Sequence, residues 1–416
     1  MGTYEEKSRK IASERAKELK SRIKDYLDAS KDIETGEKLE DQYLDNKKRI
    51  LDYLNGTEED WKNWRWQMDN RFEDSKTLSN VIELSEKEMN EIDEVSENFR
   101  WAVVPYYASL MDPKDPNCPI RKQSIPSAME LKDPMEVDDD PMAEEFTSPA
   151  PCITRRYPDR LIINVTNQCA MYCRHCQRRR NIGGVDKPRP REELEEAIKY
   201  IRENPEIRDV LITGGDAFML EDETIEWILG LLDEIEHVEI KRFGTRTLVT
   251  MPQRITDNLC SILKRHGPVY VNTQFNHPKE VSREAVEAAK KLTYAGVPLG
   301  NQSVLLNTIN NDPHIIKKLN HELLKACIKP YYLFQAKTVT GTSHLIAGIE
   351  EGIEIVEHLR GYTSGLAIPE YIVNAPGGYG KTPLHPQYIV SAGKDYITIR
   401  TWAGRIIKYD NKVYNK

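Results

Sequence analysis

From residue 160 onwards the chain alternates between short apolar segments and longer amphipathic ones, and this alternation limits the possible folds more than any other feature. Strands joined by helices are typical of βαβ units with parallel strands. Roughly six such units fit a full or partial barrel better than a flat, doubly wound sheet, and in either case the carboxyl ends of the strands form the functional face. The predicted strands are 161–165, 210–213, 238–243, 269–275, 299–305, 328–335 and 371–374. The predicted helices between them are 191–203, 223–235, 282–295, 314–327 and 350–359.

The regions on either side of this alternation divide the chain into four predicted parts. Residues 1–56 carry sparse Ile and Leu at helical spacing among many charged residues, which predicts a charged helical extension. Residues 57–150 are predicted to form a helical region followed by an acidic, Pro-rich connector. Eight acidic residues and one Lys between 130 and 145 indicate that this connector buries little and lies at the surface. The barrel core is expected at 151–383 and a small β segment at 384–416.

Charge, hydropathy and cysteine content exclude several classes of protein. The 416 residues carry a net charge of 59 − 67 = −8, whereas a general binder of nucleic acids or anionic membranes presents a basic face. The chain has no uninterrupted apolar run of about 18 residues, so no transmembrane helix is expected. The first residues lack the apolar segment of a secretion signal, and seven cysteines, an odd number, do not suggest a disulfide framework. We therefore expect a cytoplasmic globular protein, and a homo-oligomer with residues 1–56 as a candidate contact.

Three closely spaced cysteines are the strongest chemical signal in the chain. Cys169, Cys173 and Cys176 directly follow the first predicted barrel strand, where a βα loop lies over the barrel mouth. A structural zinc site needs a fourth ligand and no second Cys or His pair is close, so zinc is a weaker interpretation, as are ordinary buried thiols. A four-iron, four-sulfur (4Fe-4S) cluster with three protein thiolates and one open iron fits the spacing best. The remaining cysteines are isolated and are interpreted as free thiols.

A second signal is a lysine on a Gly-rich loop near the end of the predicted barrel. Lys381 ends the run Asn-Ala-Pro-Gly-Gly-Tyr-Gly-Lys at 374–381. Its amine can form an imine with an aldehyde cofactor such as pyridoxal phosphate (PLP), whereas the alternatives are a phosphate-binding turn or a purely structural one. Arg156, Tyr157 and Arg160, just before the first strand, supply cations for a phosphate and an aromatic ring to stack on a pyridine. This combination favours the cofactor over surface charge.

The cysteine spacing, with an aromatic residue before the second Cys, resembles the radical S-adenosylmethionine (SAM) superfamily, in which the open iron binds SAM. Together with the Gly-Gly-Asp turn at 214–216, the Arg-Tyr-Pro-Asp-Arg segment and the Pro-Gly-Gly-x-Gly-Lys loop, it resembles the lysine 2,3-aminomutase family over about residues 57–392. The resemblance implies a partial barrel of six βα units that holds a 4Fe-4S cluster, SAM and PLP. The resemblance implies that the cluster is ligated by Cys169, Cys173 and Cys176 and that SAM is contacted by Asp216 and Gln302. It implies that PLP is bound by Arg156, Tyr157, Arg160 and the catalytic Lys381. It also implies that Arg178 binds the α-carboxylate of the substrate.

Two positions depart from the lysine-specific members of the family, in which two acidic residues receive the distal ammonium of the substrate. Lys337 and Asn374 stand at these positions, at the ends of predicted strands. A desolvated Lys facing the ammonium of lysine would be costly, whereas a side-chain carboxylate gains a charge-assisted hydrogen bond from Lys337 and an amide donor from Asn374. The resemblance is therefore closest to glutamate-specific members. It predicts an isomerase that moves the α-amino group of L-glutamate from C2 to C3 to give β-glutamate.

The alternatives to this prediction differ in substrate or in class. The enzyme alternatives are aminomutases that act on lysine, arginine or aspartate, and Lys337 can instead pair with a neighbouring protein acid. The alternative of another class is a non-catalytic, zinc-stabilised scaffold protein.

Lysine-specific members bind zinc through C-terminal cysteines, and the barrel supplies a partner Cys. In this chain residues 408–416 contain no Cys or His and Asp312 stands at the position of the partner Cys, so no zinc is expected. Gln274 stands at a position where lysine-specific members have a His that contacts SAM. The predicted chemistry also requires a one-electron donor such as flavodoxin or ferredoxin, and no nucleic acid or membrane partner.

Overall fold

The computed structural model describes residues 4–134 and 137–412, so Glu136 of the connector and the last four residues of the Cys-free tail lie outside the described residues. The α-helices are α1 Tyr4–Arg22, α2 Lys24–Asp32, α3 Glu40–Leu54, α4 Glu58–Lys62, α5 Trp64–Asp69, α6 Ser75–Leu78, α7 Glu86–Ser96, α8 Pro105–Ser109, α9 Pro119–Ser124, α10 Arg191–Glu203, α11 Asp222–Asp233, α12 Thr247–Thr250, α13 Asp257–Arg265, α14 Arg283–Tyr294, α15 Pro313–Lys325 and α16 Ile349–Leu359. The strands are β1 Ile153–Thr154, β2 Arg160–Thr166, β3 Asp209–Gly214, β4 Ile240–Gly244, β5 Val269–Thr273, β6 Leu299–Leu305, β7 Lys329–Gln335, β8 Glu370–Ala375, β9 Gly380–Pro383, β10 Ile389–Ala392, β11 Tyr396–Arg400 and β12 Ile406–Asp410.

The central sheet contains β1 to β9 in sequence order. Strands β2 to β8 are parallel, whereas β1 and β9 are antiparallel to their neighbours at the two edges. Within the described residues the two edge strands do not pair with each other, so the sheet is open. It forms a half-barrel. The seven parallel strands coincide with the seven predicted from the sequence, which confirms the α/β partial barrel.

The helices between the strands bury one face each because their apolar residues recur at helical spacing. In α10 the buried residues are Leu194, Ala197, Ile198 and Ile201, at positions i, i+3, i+4 and i+7. Along β6 buried and half-buried side chains alternate, as expected for a strand with two different faces. Each predicted helix is present, with ends that agree to within two residues. This packing fixes the carboxyl ends of the parallel strands at one rim of the half-barrel.

The N-terminal helices differ in how they attach to the barrel. Helix α1 buries no residue, whereas α3 places Tyr43, Ile50 and Leu51 in the main hydrophobic core. The Tyr43 hydroxyl donates a hydrogen bond to Glu284 of α14. Trp61 is also buried in the core, as its large apolar surface predicts. Residues 1–56 therefore include one exposed helix and one that packs as part of the barrel wall.

The acidic connector is not confined to the surface, and this corrects the prediction for two of its residues. The side chain of Glu130 is fully buried between Arg174, which donates to both its carboxylate oxygens, and Arg179. The side chain of Glu144 is 9% exposed and pairs with Arg156 and Arg178. The composition of the connector is that of a solvated segment, but buried arginines elsewhere in the chain supply partners that make burial of these acids possible.

The C-terminal residues form a separate antiparallel sheet of β10, β11 and β12, as predicted. The residues of β10 and β12 are exposed throughout. Across residues 4–134 and 137–412, no helix has the length and apolar character needed to cross a membrane.

Candidate active site

The cysteine loop follows β2 at the rim of the half-barrel, and the surrounding elements hold its backbone in place. The backbone N–H of Tyr172 donates to Ala102 (3.1 Å), and that of Arg174 donates to Gln123 (2.9 Å). The Tyr172 hydroxyl donates to Asp186. These contacts arise from segments on both sides of the loop, so the positions of the three thiols are determined by the fold rather than by the loop alone.

The thiols of Cys169, Cys173 and Cys176 suit an iron–sulfur cluster. Burial raises the pKa of the Cys169 and Cys176 thiols, so in the absence of a metal both are protonated. Nη1 of the buried Arg246 guanidinium donates to Sγ of Cys173 (2.8 Å), which is the kind of partner a thiolate requires. In the described part of the chain no three His, Cys, Asp or Glu side chains are grouped to hold a single metal ion. Three thiols on one loop match a cluster in which each binds a different iron.

The turn after β3 lies against this loop. Gly214 has a φ of 138°, and a Cβ on Gly215 would lie 2.4 Å from the carbonyl oxygen of Gln168, so both positions require glycine. The Asp216 carboxylate accepts hydrogen bonds from Thr245 Oγ1 (2.6 Å) and from the backbone N–H of Arg246 (2.7 Å). Both carboxylate oxygens therefore have protein partners, and these partners hold the Asp216 side chain in place at the turn.

Two other sequence-predicted residues lie on strand β6 and directly after strand β5. Gln302 is half-buried on β6 and lies opposite Tyr332 of β7 in the sheet register. Nε2 of Gln274 lies 3.1 Å from Nε2 of His175 in the cysteine loop. Gln274 thus contacts the cysteine loop. A cavity of about 270 Å³ lies between the cysteine loop and the connector, and it is lined in part by Cys169, Cys176, Gly215, Arg178 and Glu144.

The Gly-rich loop brings Lys381 to the residues predicted to bind PLP. The backbone N–H of Lys381 donates to the Tyr157 hydroxyl (2.9 Å), and a Cβ on Gly380 would lie 3.1 Å from the Tyr157 ring. The guanidinium of Arg160 lies over the Tyr157 ring, 4.0 Å from its centroid. An amine, an aromatic face and cations are therefore adjacent, and this arrangement fits an aldehyde cofactor with a phosphate group.

The amine of Lys381 is prepared for nucleophilic chemistry. Burial, then the charges of Arg242, Arg160 and Arg156, lower the pKa of Lys381 to about 8. The neutral fraction of the amine near neutral pH is therefore larger than that of an exposed lysine, and the neutral amine is the form that attacks an aldehyde. Asn374 and Lys381 are directly paired across β8 and β9, so the two side chains have a fixed relation.

Lys337 lies close to Lys381, at the end of β7. The Nζ atoms of Lys337 and Lys381 lie 5.5 Å and 5.3 Å from the centroid of the same Phe334 ring. Burial, then Arg156, Arg178 and Lys381, lower the pKa of Lys337 to about 7. Nδ2 of Asn374 is buried and has no hydrogen-bond partner among the described residues. A half-buried lysine amine, which a nearby carboxylate would keep protonated, and an unsatisfied amide donor both favour a ligand that carries a carboxylate.

Glu144 is a site residue that the sequence patterns did not identify. It joins Arg178, predicted to bind the substrate, to Arg156, predicted to bind PLP. The sequence signal for Glu144 is charge complementarity between the acids of the connector and the arginines at 174–180. Two of those acids, at 140 and 145, pair with Arg180.

Comparison with known proteins agrees with this architecture. Residues 163–319 match the family model described as Radical SAM superfamily, and residues 356–414 match the one described as Lysine-2,3-aminomutase. The chain is 60% identical over 403 residues to glutamate 2,3-aminomutase of Clostridioides difficile (strain 630), covering 97% of this chain and 95% of that protein. It is 47% identical over 354 residues to L-lysine 2,3-aminomutase of Clostridium subterminale, covering 85% of each. Among solved structures, a radical SAM methyltransferase from Sphaerobacter thermophilus covers 55% of this chain and 72% of its own, with 14% identity and a TM-score of 0.41.

The half-barrel, the cysteine loop at its rim and the superfamily match define a radical SAM protein. The two aminomutase matches, which cover 97% and 85% of this chain, narrow the assignment from the superfamily to one family. The chain belongs to the lysine 2,3-aminomutase family.

Proposed function

We propose that the protein moves the α-amino group of L-glutamate from C2 to C3 and so produces β-glutamate. The observation that carries this proposal is the pair formed by Lys337 and Asn374 at the barrel mouth, a half-buried lysine amine that a carboxylate would keep protonated and a buried amide donor without a partner among the described residues. The relative with 60% identity over 97% of the chain, named glutamate 2,3-aminomutase, supports the same substrate.

The charges of the mouth favour a substrate with two carboxylates. The pKa of Lys337 is already lowered by burial and by its cationic neighbours, so the cationic side chain of a lysine or arginine substrate would add a further positive charge at low solvent exposure. A side-chain carboxylate instead relieves this repulsion and accepts a charge-assisted hydrogen bond. We assign the side-chain carboxylate to Lys337 and Asn374, and the α-carboxylate to Arg178.

The same proposal assigns the cofactors. Cys169, Cys173 and Cys176 would hold the 4Fe-4S cluster, Asp216 and Gln302 would contact SAM, and Arg156, Tyr157, Arg160 and Lys381 would hold PLP, with no zinc. When bound, the cluster and SAM supply the radical that removes hydrogen from the β-carbon, and PLP supplies the π-system that assists migration of nitrogen.

The residues of the chain itself contribute position and charge. Arg178 and Lys337 would hold the two carboxylates of glutamate at opposite ends, so that one C–H bond of the β-carbon faces the hydrogen acceptor. Lys381, with its lowered pKa, would provide a neutral amine to bind the aldehyde. Burial of the lysines limits the access of water, which protects a reactive species and strengthens each charge interaction.

The proposal extends to the surroundings of the enzyme. Reduction of the cluster requires a one-electron donor such as flavodoxin or ferredoxin, and the proposed setting is cytoplasmic. A homo-oligomer is also proposed, for which the exposed helix α1 and the exposed strands of the C-terminal sheet offer surfaces.

The test is an anaerobic assay of the reconstituted protein with SAM, PLP and dithionite. L-Glutamate, L-aspartate, L-lysine and L-arginine are supplied separately, and proton NMR identifies the products. We expect β-glutamate from glutamate and no product from lysine or arginine. β-Lysine as the main product would contradict the role given to Lys337 while leaving the family intact. Zinc in place of iron and sulfide, with no PLP absorbance, would instead support a scaffold protein.

A further inference from the structure

Glu144 links two arginines with different predicted tasks through a single carboxylate. Nε of Arg178 donates to both oxygens of Glu144 (3.2 Å each), and Nη2 of Arg178 donates to Oε1 (3.1 Å). Nη2 of Arg156 donates to the same Oε1 (3.3 Å). The carboxylate therefore holds Arg178, predicted to bind the substrate, at a fixed distance from Arg156, predicted to bind PLP.

The carboxylate occupies only one edge of Arg178. A guanidinium has two edges that can bind a carboxylate with two hydrogen bonds, one formed by Nε and Nη2 and the other by Nη1 and Nη2. Glu144 takes the first edge, and Nη1 makes no hydrogen bond with any residue in the described part of the chain. The second edge is thus available for a ligand.

The backbone around Glu144 is held firmly enough to act as a reference point. Its carbonyl oxygen accepts hydrogen bonds from the Ser148 hydroxyl (2.7 Å) and from the backbone N–H of Thr147 (3.2 Å). The neighbouring Pro141 carbonyl accepts from the N–H of Gly377, in the turn that leads to Lys381 (2.9 Å). Glu144 is therefore connected both to the arginines and to the lysine loop.

Glu144 carries its negative charge despite its burial. Burial acts to raise its pKa, but Arg178, Arg156 and Arg180 more than compensate and lower the pKa below its ordinary value. An ionised carboxylate in this place can act in two ways. It can orient the guanidinium groups, or it can compete with the carboxylate of the substrate for Arg178.

We propose that Glu144 is a positioning residue that presents the Nη1 edge of Arg178 to the α-carboxylate of the substrate and keeps Arg156 in register with it. This inference rests on the proposed function, because it takes the substrate to be an amino acid held by Arg178. The removal of Glu144 leaves both arginines charged but free to turn. Substrate still binds, while its reacting atoms are misplaced.

The test uses three variants of the full-length, reconstituted protein. Glu144→Gln keeps the size of the side chain and removes its charge, whereas Glu144→Asp keeps the charge and shortens its reach. Glu145→Gln is the matched control, because its side chain is 69% exposed and pairs with Arg180 rather than with Arg156 or Arg178. Steady-state kinetics and the visible circular dichroism of bound PLP are measured for each. Thermal unfolding and iron content show whether each variant is folded and loaded.

We expect kcat of both Glu144 variants to fall by about 10- to 100-fold, because small misplacements have effects of this size. KM should rise by no more than about threefold, since neither variant adds negative charge that would repel a substrate with two carboxylates. The circular dichroism band of PLP should change in both. Glu145→Gln should stay within about twofold of the parent protein in kcat and KM.

Three results would overturn the inference. The first is a Glu144→Gln protein with kcat within about twofold of the parent, and the second is a lower KM with unchanged kcat, which would identify Glu144 as a competitor of the substrate. The third is full activity of Glu144→Asp, which would mean that charge and not position matters; this variant also carries the test if Glu144→Gln fails to fold. If the parent does not convert glutamate, the proposed substrate fails. The kinetic comparison of the variants then uses whichever amino acid is converted. The circular dichroism of bound PLP can be compared in any case, because it requires no turnover.

Discussion

At the level of single residues, the two lysines of the barrel mouth have different proposed roles although both lie near the same Phe334 ring. Lys381 is paired with Asn374 across two strands and its backbone is held by Tyr157. Lys337 lies just after β7, where burial and then the charges of Arg156 and Arg178 lower its pKa. The motif around Lys381 is visible in the sequence. The electrostatic state of Lys337 is not, because it depends on residues far apart in the chain.

We predict that Lys337→Gln lowers kcat/KM for glutamate by about 10- to 100-fold, because it removes one charge-assisted hydrogen bond. The substitution should also reduce the pH dependence of glutamate binding. Lys337 has a pKa of about 7 in the free protein, so it loses its positive charge as the pH rises through that value. The carboxylate of the substrate favours the charged form, and the Kd for glutamate should therefore increase with pH above about 7.

Calorimetric titration of the loaded, anaerobic protein between about pH 6 and 9 measures this effect. Lys329→Gln is the control, because Lys329 is exposed at the start of the same strand. Equal pH dependence in the parent protein and in Lys337→Gln would exclude Lys337 as the group that binds the side-chain carboxylate.

At the level of elements, the strands and helices of the barrel were predictable because hydrophobic periodicity is local. The buried positions of α10 and the alternation along β6 follow directly from residues within one segment. The connector was not predictable in the same way. Its acids pair with arginines that lie up to 49 residues further along the chain, and composition alone registers only their charge.

The connector is therefore expected to stabilise the cysteine loop. We predict that Glu130→Ala lowers the free energy of unfolding by about 3–5 kcal/mol, because it leaves Arg174 and Arg179 buried without their shared counter-ion. The variant should also retain less iron after anaerobic reconstitution. Denaturant unfolding and iron analysis measure the two effects.

Asp139→Asn is the matched control, since Asp139 is exposed in the same connector. It should remain within about 0.5 kcal/mol of the parent protein. A Glu130→Ala protein that is as stable as this control would show that the connector merely covers the loop.

At the level of the whole molecule, the N-terminal residues are divided between two roles. We predict that deletion of residues 1–16 changes Tm by no more than about 2 °C, because the described part of α1 buries no residue. Deletion of residues 1–54 should lower Tm by about 10 °C or more, because it removes Ile50 and Leu51 from the core. Calorimetry measures both, and light scattering shows whether the shorter deletion alters the oligomeric state. A large loss of Tm without any change in mass after deletion of 1–16 would contradict this division.

The direct pairing of Asn374 with Lys381 across β8 and β9 has a consequence for protein engineering. Successive residues of a strand point to opposite faces, so a one-residue insertion in the tight turn between these strands would slip the register. Either Asn374 or Lys381 would then face away from the mouth. Attempts to broaden the range of amino acids accepted should therefore vary side chains and keep the length of the turn constant. A longer turn would move Asn374, proposed to bind the substrate, out of register with Lys381, proposed to bind PLP.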